Sequence, residues 1–353
     1  MRITHFRASN FRNIGFADIP LESQYVWVCG INGQGKSNLL EGLSLINAMR
    51  SFRTAKLANM IKFGEVASQL IINTQDDGDS EVEINLTKAK NTVAIDSYLC
   101  KSLSEFIGKY PLLVMSADDL ALLKLAPSVR RKFIDMHISS LDLEYFVALK
   151  NYHRALLNRN ALLKDERSSD AEFIAFEVQI AQNAEIIARK REAFLKDLNE
   201  ELSSLYTQIA SLTKEKVALV YKDSASILKG ENYLQKLADN RAKDKILGST
   251  SIGIHRDDML MLLAGKVASE YASDGQQRSI VLALKLAQLK QVANKKNTLP
   301  VLLCDDILGE LDDYRKDAFW TCIDKDLQVI VSSTNQNPEA KYLKIKVENG
   351  KYE

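Results

Sequence analysis

Residues Gly30-Ile31-Asn32-Gly33-Gln34-Gly35-Lys36-Ser37 carry the spacing G-x-x-x-x-G-K-S/T and follow directly on the apolar run Tyr25-Val26-Trp27-Val28-Cys29. A short apolar run rich in valine and aromatics reads as a buried strand, and helix is expected from Lys36, so the glycines lie between a strand and a helix. A phosphate-binding loop needs that context. Backbone N–H groups must curl around phosphate oxygens, glycine permits the curl, and the helix N-terminus adds positive dipole. Gly30, Ile31, Asn32, Gly33, Gln34 and Gly35 are therefore expected to cradle the phosphates of ATP, with Lys36 on the β- and γ-phosphates. The Ser37 hydroxyl is expected to face Mg²⁺, a small hard ion that takes few protein ligands beside phosphate oxygens and water. The plain alternative is a glycine turn that happens to carry a lysine.

A second apolar strand, Val301-Leu302-Leu303-Cys304, ends in Asp305-Asp306. Beside a phosphate loop in a parallel sheet, carboxylates at a strand's C-terminal end meet the ligand. Asp305 is expected to bind Mg²⁺, usually through water, and Asp306 to polarise the attacking water as general base. Taken alone, the pair would read as a strand-to-loop junction facing solvent. An aspartate reaches less far than a glutamate, so slow hydrolysis is expected.

Ser273-Asp274-Gly275-Gln276-Gln277-Arg278 precedes the apolar helical run Ile280 to Leu289 and lies about thirty residues before the acidic strand. By itself it reads as an N-cap opening a surface helix. Its order between phosphate loop and acidic strand resembles the signature of ABC-class ATPases, which grips the γ-phosphate of ATP held by the opposite subunit. Ser273, Gly275 and Gln276 are the expected contacts, because free N–H groups, a hydroxyl and a close-approach glycine make an anion site. The resemblance extends to Gly309-Glu310-Leu311-Asp312, similar to the D-loop that crosses such a dimer. Thr334 stands where many relatives carry a switch histidine, which leaves the γ-phosphate sensor open.

The chain has 353 residues, 46% hydrophobic and 26% charged, enough for a large core. Lys plus Arg number 47 against 46 for Asp plus Glu, a net charge of +1, so any attraction to a polyanion must come from a local patch. Four scattered cysteines without metal-ligand spacing fit a reduced cytoplasmic compartment. No apolar stretch approaches the roughly 18 residues of a membrane span, and Met1-Arg2-Ile3-Thr4-His5 opens no secretory segment.

Extended segments are expected over Ile3 to Phe11 and, as a hairpin at a sheet edge, over 66–88, where Leu70-Ile71-Ile72 and the alternating Val82, Ile84, Leu86 flank the turn Asp76-Asp77-Gly78-Asp79. From Leu120 to Leu212 the spacing becomes helical, as in Leu195, Leu198, Leu202 and Leu205. Lys164 to Asp170 breaks that stretch, which predicts two antiparallel helices. The fold class expected is α/β, an ABC-type P-loop ATPase head with an inserted helical lobe, a short antiparallel arm. The head is expected from 1–109 and 246–353, the arm from 110–245.

Several further stretches together resemble the RecF family, the short-armed relatives of the SMC proteins. They are Asn10-Phe11-Arg12-Asn13, Ser51-Phe52-Arg53-Thr54, Asp118-Asp119-Leu120, Pro127-Ser128-Val129-Arg130-Arg131-Lys132-Phe133-Ile134-Asp135 and Gly253-Ile254-His255-Arg256-Asp257-Asp258. Ile254 replaces the family's proline, and Asp274 stands where it usually has glutamine. The resemblance implies an ATP-dependent homodimer on double-stranded DNA near single-strand gaps and junctions, with weak DNA-stimulated ATP hydrolysis. It further implies partnership with RecR and support of RecA loading in DNA repair and replication. DNA would be gripped through phosphates, without sequence preference. The candidate basic stripe is Arg130, Arg131, Lys132, Lys150, Arg154 and Arg159, with Arg12, Arg50 and Arg53 near the head. The alternatives are a solvated face paired to Glu and Asp at those positions and, for the whole chain, the ATPase subunit of a membrane transporter or a P-loop kinase.

Overall fold

The alternating pattern near the N-terminus folds into an antiparallel sheet in the order β2-β1-β4-β5-β6-β7, from β1 (Arg2–Phe11), β2 (Ile14–Pro20), β4 (Ala67–Gln75), β5 (Asp79–Thr87), β6 (Thr92–Ile95) and β7 (Tyr98–Leu99). The computed structural model describes residues 1–54, 56–210, 215–230, 232–335 and 341–353. The hairpin predicted over 66–88 is present as β4 and β5 but is internal rather than at an edge. Strand β1 pairs along one side of it, Phe6 opposite Ile72, and β6 along the other, Val93 opposite Ile84. Alternation reveals which face of a strand is buried, and says nothing of its neighbours in the sheet.

A second sheet has the order β15-β14-β3-β13-β12-β8, from β3 (Tyr25–Cys29), β8 (Leu112–Ser116), β12 (Val301–Asp305), β13 (Val329–Ser333), β14 (Leu343–Glu348) and β15 (Lys351–Tyr352). All of its pairings are parallel except β14 with β15. Its central strands are apolar throughout because a parallel sheet is covered on both faces. Helix α1 (Lys36–Ala48) packs against strands of both sheets. Its Leu39, Leu40, Leu43 and Ile46 join one core with Phe6, Phe11, Leu70 and Ile84 of the first sheet and Val26, Val28, Leu303 and Ile330 of the second. Burying each such side chain contributes roughly 1.5–3 kcal/mol, which fixes where α1 begins and hence where the loop before it lies.

These sheets form one compact unit, Met1–Asp119 with Lys285–Glu353, and Leu120–Leu284 forms a second. The boundaries expected at 109 and 246 are displaced. β8 belongs to the first unit because it pairs with β12, and the stretch from 246 to 284 belongs to the second, where β10 (Asp258–Leu263) pairs with β9 (Val217–Lys222). β11 (Lys266–Val267) completes that three-stranded sheet.

The second unit contains α2 (Ala121–Lys124), α3 (Pro127–Leu141), α4 (Leu143–Leu162), α5 (Asp170–Ile209), α6 (Tyr233–Asp239), α7 (Arg241–Leu247) and α8 (Ala268–Tyr271), and the start of α9 (Asp274–Lys296). α10 (Asp313–Cys322) lies in the first unit. The predicted break over 164–170 falls between α4 and α5, and α5 opens with a capping box in which Ser169 and Glu172 satisfy each other's backbone N–H. Tyr145, Ala148, Tyr152 and Ala155 of α4 and Ile180, Ala184 and Ile187 of α5 are buried at helical spacing, which closes the two helices on each other.

Candidate nucleotide-binding site

β3 delivers the glycine loop to the first turn of α1. Gly33 and Gly35 have φ of 81° and 121°, backbone that glycine adopts without steric cost. Gly30 is required for a different reason, since a Cβ there would stand 2.5 Å from the Val347 carbonyl oxygen of β14. Lys36 is buried and folds back over the loop, its Nζ donating to the carbonyls of Gly30 at 2.8 Å and Ile31 at 3.2 Å. Gly35 caps α1 with no side-chain hydrogen bond, so no side chain competes for the helix's first N–H groups. A left-handed glycine cradle, a lysine aimed at it and an uncapped helix start fit a polyphosphate.

The loop is braced from outside by residues to which motif reading assigned no role at the loop. Asn13 Nδ2 donates to the Gln34 carbonyl at 2.9 Å, as does the Gly350 N–H, while the Asn349 N–H reaches the Gln34 side chain at 2.6 Å. The Tyr352 hydroxyl donates to the Gly35 carbonyl at 2.9 Å, and burial pushes its pKa up, keeping it a donor. The turn between β14 and β15 therefore sets the loop's position. Its only sequence signal was Asn349-Gly350, a hairpin dipeptide.

Asp305 ends β12, in register with Ser332 of β13 and Ser116 of β8. Ser332 Oγ donates to Asp305 Oδ1 at 2.7 Å and accepts the Asp306 N–H at 3.0 Å, so one hydroxyl sets both acids. Asp306 has φ of 53°, a left-handed turn that redirects the chain at the strand end. Burial pushes its carboxyl above the usual range, with Lys36 opposing and Asp305 and Glu310 adding to the shift. Asp306 is thus within electrostatic reach of the lysine that the loop positions. Among the described residues no group of three or more acidic, His or Cys side chains is placed to hold a metal. A Mg²⁺ carried mostly by phosphate and water needs no such group. Thr334 is exposed just beyond β13, and the carbonyl of Asn335 after it accepts the Trp27 indole N–H at 2.8 Å.

The expected signature lies in the second unit, at the start of α9. The Ser273 N–H donates to Gln276 Oε1 at 2.8 Å and Ser273 Oγ accepts the Gln276 N–H at 3.3 Å, a reciprocal cap. Gln276 Nε2 donates to Glu215 Oε2 at 2.7 Å, and exposed Asp274 pairs with Lys124 at 3.2 Å. In the expected D-loop, Leu311 is buried and Asp312 caps α10 by accepting the Arg315 N–H at 2.8 Å.

A model of the RecF/RecN/SMC N-terminal domain matches residues 2–346. The DNA replication and repair protein RecF of Clostridium tetani is 34% identical and covers 99% of each chain. This chain belongs to the RecF family. The RecF of Leptospira interrogans is 33% identical over 90% of this chain and 88% of its own. A solved recombination mediator protein RecF–ATP of the RecFOR pathway shares 28% identity at a TM-score of 0.92, covering 100% of this chain and 97% of that one. An Smc head with an extended coiled coil, bound to the C-terminal domain of ScpA, has a TM-score of 0.55 at 16% identity and shares the fold alone. The fold is the ABC-type ATPase head of RecF and SMC proteins. Membership over the full chain sets aside the transporter-subunit and kinase alternatives, and among the described residues no helix is long and apolar enough to cross a membrane.

Two RecF motifs of the first unit meet at one buried carboxylate. Glu41 of α1 accepts Arg12 Nε and Nη2 at 2.8 and 2.7 Å, Arg53 Nη1 at 3.3 Å, and the Ser51 hydroxyl. Arg12 is therefore occupied on the head, half-buried in a two-pronged pair, whereas Arg53 stays exposed beside its contact with Glu41, and Arg50 is exposed. In the second unit the Gly253-Ile254-His255-Arg256-Asp257-Asp258 motif is a junction of the same kind. Asp257 takes Arg191, Tyr221 and Ser224, while His255 accepts or donates to Tyr152 at 2.7 Å and is held neutral by burial, its pKa near 4.

Half of the expected DNA stripe turns inward. Arg159 is fully buried and bonds Glu177 at 3.1 Å, Asp244 at 2.8 Å, Thr250 at 2.7 Å and the Leu237 carbonyl at 3.0 Å. Arg130 forms a two-pronged pair with Asp258 at 2.7 and 2.9 Å, and Arg131 donates to the Asp257 carbonyl at 2.7 Å. The reason is geometric: at 3.6 residues per turn Arg159 lies about 180° round α4 from Lys150 and about 140° from Arg154, so it faces the core while they face solvent. Lys132, Lys150 and Arg154 remain exposed, and Arg154 lines an open cavity of about 330 Å³ with Asn151, Asn158, Phe176 and Gln179.

Proposed function

We propose that this RecF-family protein is an ATP-controlled DNA clamp of replication and repair whose two copies close on two ATP molecules. The observation that supports this most directly is the glycine cradle with Lys36 above it and, at the end of a strand of the same parallel sheet, Asp305 followed by Asp306. In each site Gly30 to Ser37 and Asp305 of one protomer hold ATP and Mg²⁺, which offsets phosphate charge, and Asp306 accepts a proton from the attacking water. Ser273, Gly275 and Gln276 of the partner supply donors to the γ-phosphate. The closed state alone makes both sets of contacts, so ATP shifts the population towards an isologous dimer, and slow, DNA-stimulated hydrolysis releases it.

Duplex DNA and single-strand/double-strand junctions are the proposed cargo, gripped through phosphates by Lys132, Lys150 and Arg154. The cytoplasm, with RecR as partner and RecA loading as the outcome, completes the reading. Sedimentation with ATP, ADP and no nucleotide tests it, followed by DNA binding at several salt concentrations. Dimers are expected with ATP only; Lys36→Ala should lose ATP binding and dimers together, and Ser273→Arg should keep ATP binding but stay monomeric. Unimpaired ATP affinity in Lys36→Ala would remove the assignment of the loop.

A further inference from the structure

The bonding around Gln276 engages both its side-chain carbonyl and its side-chain NH₂ within its own chain. Its carbonyl oxygen accepts the Ser273 N–H and its amide donates to Glu215 at 2.7 Å. Glu215 lies two residues before β9, and the carbonyl of the next residue, Lys216, accepts the Ala264 N–H at 2.9 Å, so the sheet anchors the acid where it stands. Asp274 adds a second carboxylate to the first turn of α9, partnered by Lys124 at 3.2 Å. Among the described residues no ion pair accompanies the Glu215 carboxylate's contact with Gln276, which is a neutral amide. A helix start that must receive a phosphate thus carries a negative charge in contact with one of its donors.

We infer that Glu215 restrains the signature, holding the Gln276 amide and opposing the approach of the partner's ATP, so that dimerisation is set weaker than the phosphate contacts alone would make it. The inference rests on the proposed trans engagement of the signature. A carboxylate roughly 6 Å from a phosphate charge at an effective dielectric near 40 weakens binding by about 10-fold per site. A symmetric dimer holds two such sites, hence about 100-fold in its dissociation constant at low salt. With a Debye length of about 8 Å at physiological ionic strength, the factor shrinks to roughly 10-fold.

Glu215→Gln keeps the size of the side chain and an acceptor for Gln276 Nε2 while removing the charge. Were Glu215 only a packing support, the variant would dimerise as wild type or more weakly. The test is sedimentation velocity of the full chain, as wild type, Glu215→Gln, Glu215→Asp and Ser273→Arg, with ATP, ADP or no nucleotide, at low and physiological salt. Glu215→Gln should dimerise with ATP about 10-fold more tightly at physiological salt, with the ratio to wild type widening as salt falls and no gain in ADP. Glu215→Asp, which keeps the charge, should show no such gain. Equal or weaker dimerisation of Glu215→Gln, or a matching gain in Glu215→Asp, overturns the restraint. Ser273→Arg separates the layers: if it still dimerises with ATP, the trans signature itself is wrong, whereas a monomeric Ser273→Arg beside an unchanged Glu215→Gln refutes the restraint alone.

Discussion

Replacing Arg159 with methionine distinguishes a buried strut from a DNA contact. Arg159 and its carboxylate partners Glu177 and Asp244 have no exposed side-chain surface. Removing one member of a buried pair leaves an uncompensated charge and typically costs about 3–5 kcal/mol. Glu177 keeps Arg241, at 2.9 and 2.7 Å, so most of the loss falls on Asp244, which retains the Ser251 N–H at 3.0 Å. The lower half of that range, about 3–4 kcal/mol, is the expected destabilisation, equivalent to a fall in Tm of roughly 10 °C for a unit of this size. Adding Asp244→Asn removes the stranded charge and should recover about 1–2 kcal/mol, a coupling that a double-mutant cycle in urea measures. DNA affinity of the folded variant, and its slope against salt, should match wild type. A phosphate ligand behaves in the opposite way, with melting unchanged and the salt slope reduced by about 0.9. That second pattern would refute the assignment of Arg159 as structural.

Two further outcomes concern the exposed cations and Asp306, the proposed general base. Neutralising Lys132, Lys150 and Arg154 together to glutamine should lower the salt slope of DNA binding by up to about 2.7 and leave the unfolding free energy within about 1 kcal/mol of wild type; an unchanged slope by fluorescence anisotropy would place the DNA face elsewhere. Asp306→Asn should retain ATP binding and dimerisation but cut hydrolysis by about 10²–10⁴-fold. Asp306 acts as a base only when ionised, and burial raises its pKa, so hydrolysis should fail with falling pH at a point above the ordinary aspartate value of about 3.9. A wild-type rate flat through that region would argue against Asp306 as the titrating group.

The glycine loop, the strand before it and the acids of β12 were legible because each rests on local chemistry. Only glycine takes φ of 81° or 121° cheaply, and an apolar run ending in two aspartates has few places to go in a parallel sheet. The bracing role of Asn13, though it lies in a quoted motif, and of Tyr352 was not legible, since their partner is a backbone carbonyl and a carbonyl has no signature in sequence; Asn349 braces through its own backbone N–H, which has none either. The GIHRDD-like motif was visible as a pattern, but its work of tying Arg191, Tyr221 and Ser224 together was not.

By itself the sequence determined the ABC-type head, the break between α4 and α5 and the candidate phosphate ligands, because glycine placement, hydrophobic period and capping residues act over a few positions of chain. Tertiary structure alone decided that the β4–β5 hairpin lies inside its sheet, that Arg159 is a strut while Arg154 faces solvent, and that Gln276 is bound by Glu215. Those outcomes depend on which distant segments meet, and a side chain's charge is silent about whether a carboxylate, a carbonyl or water will be there to receive it.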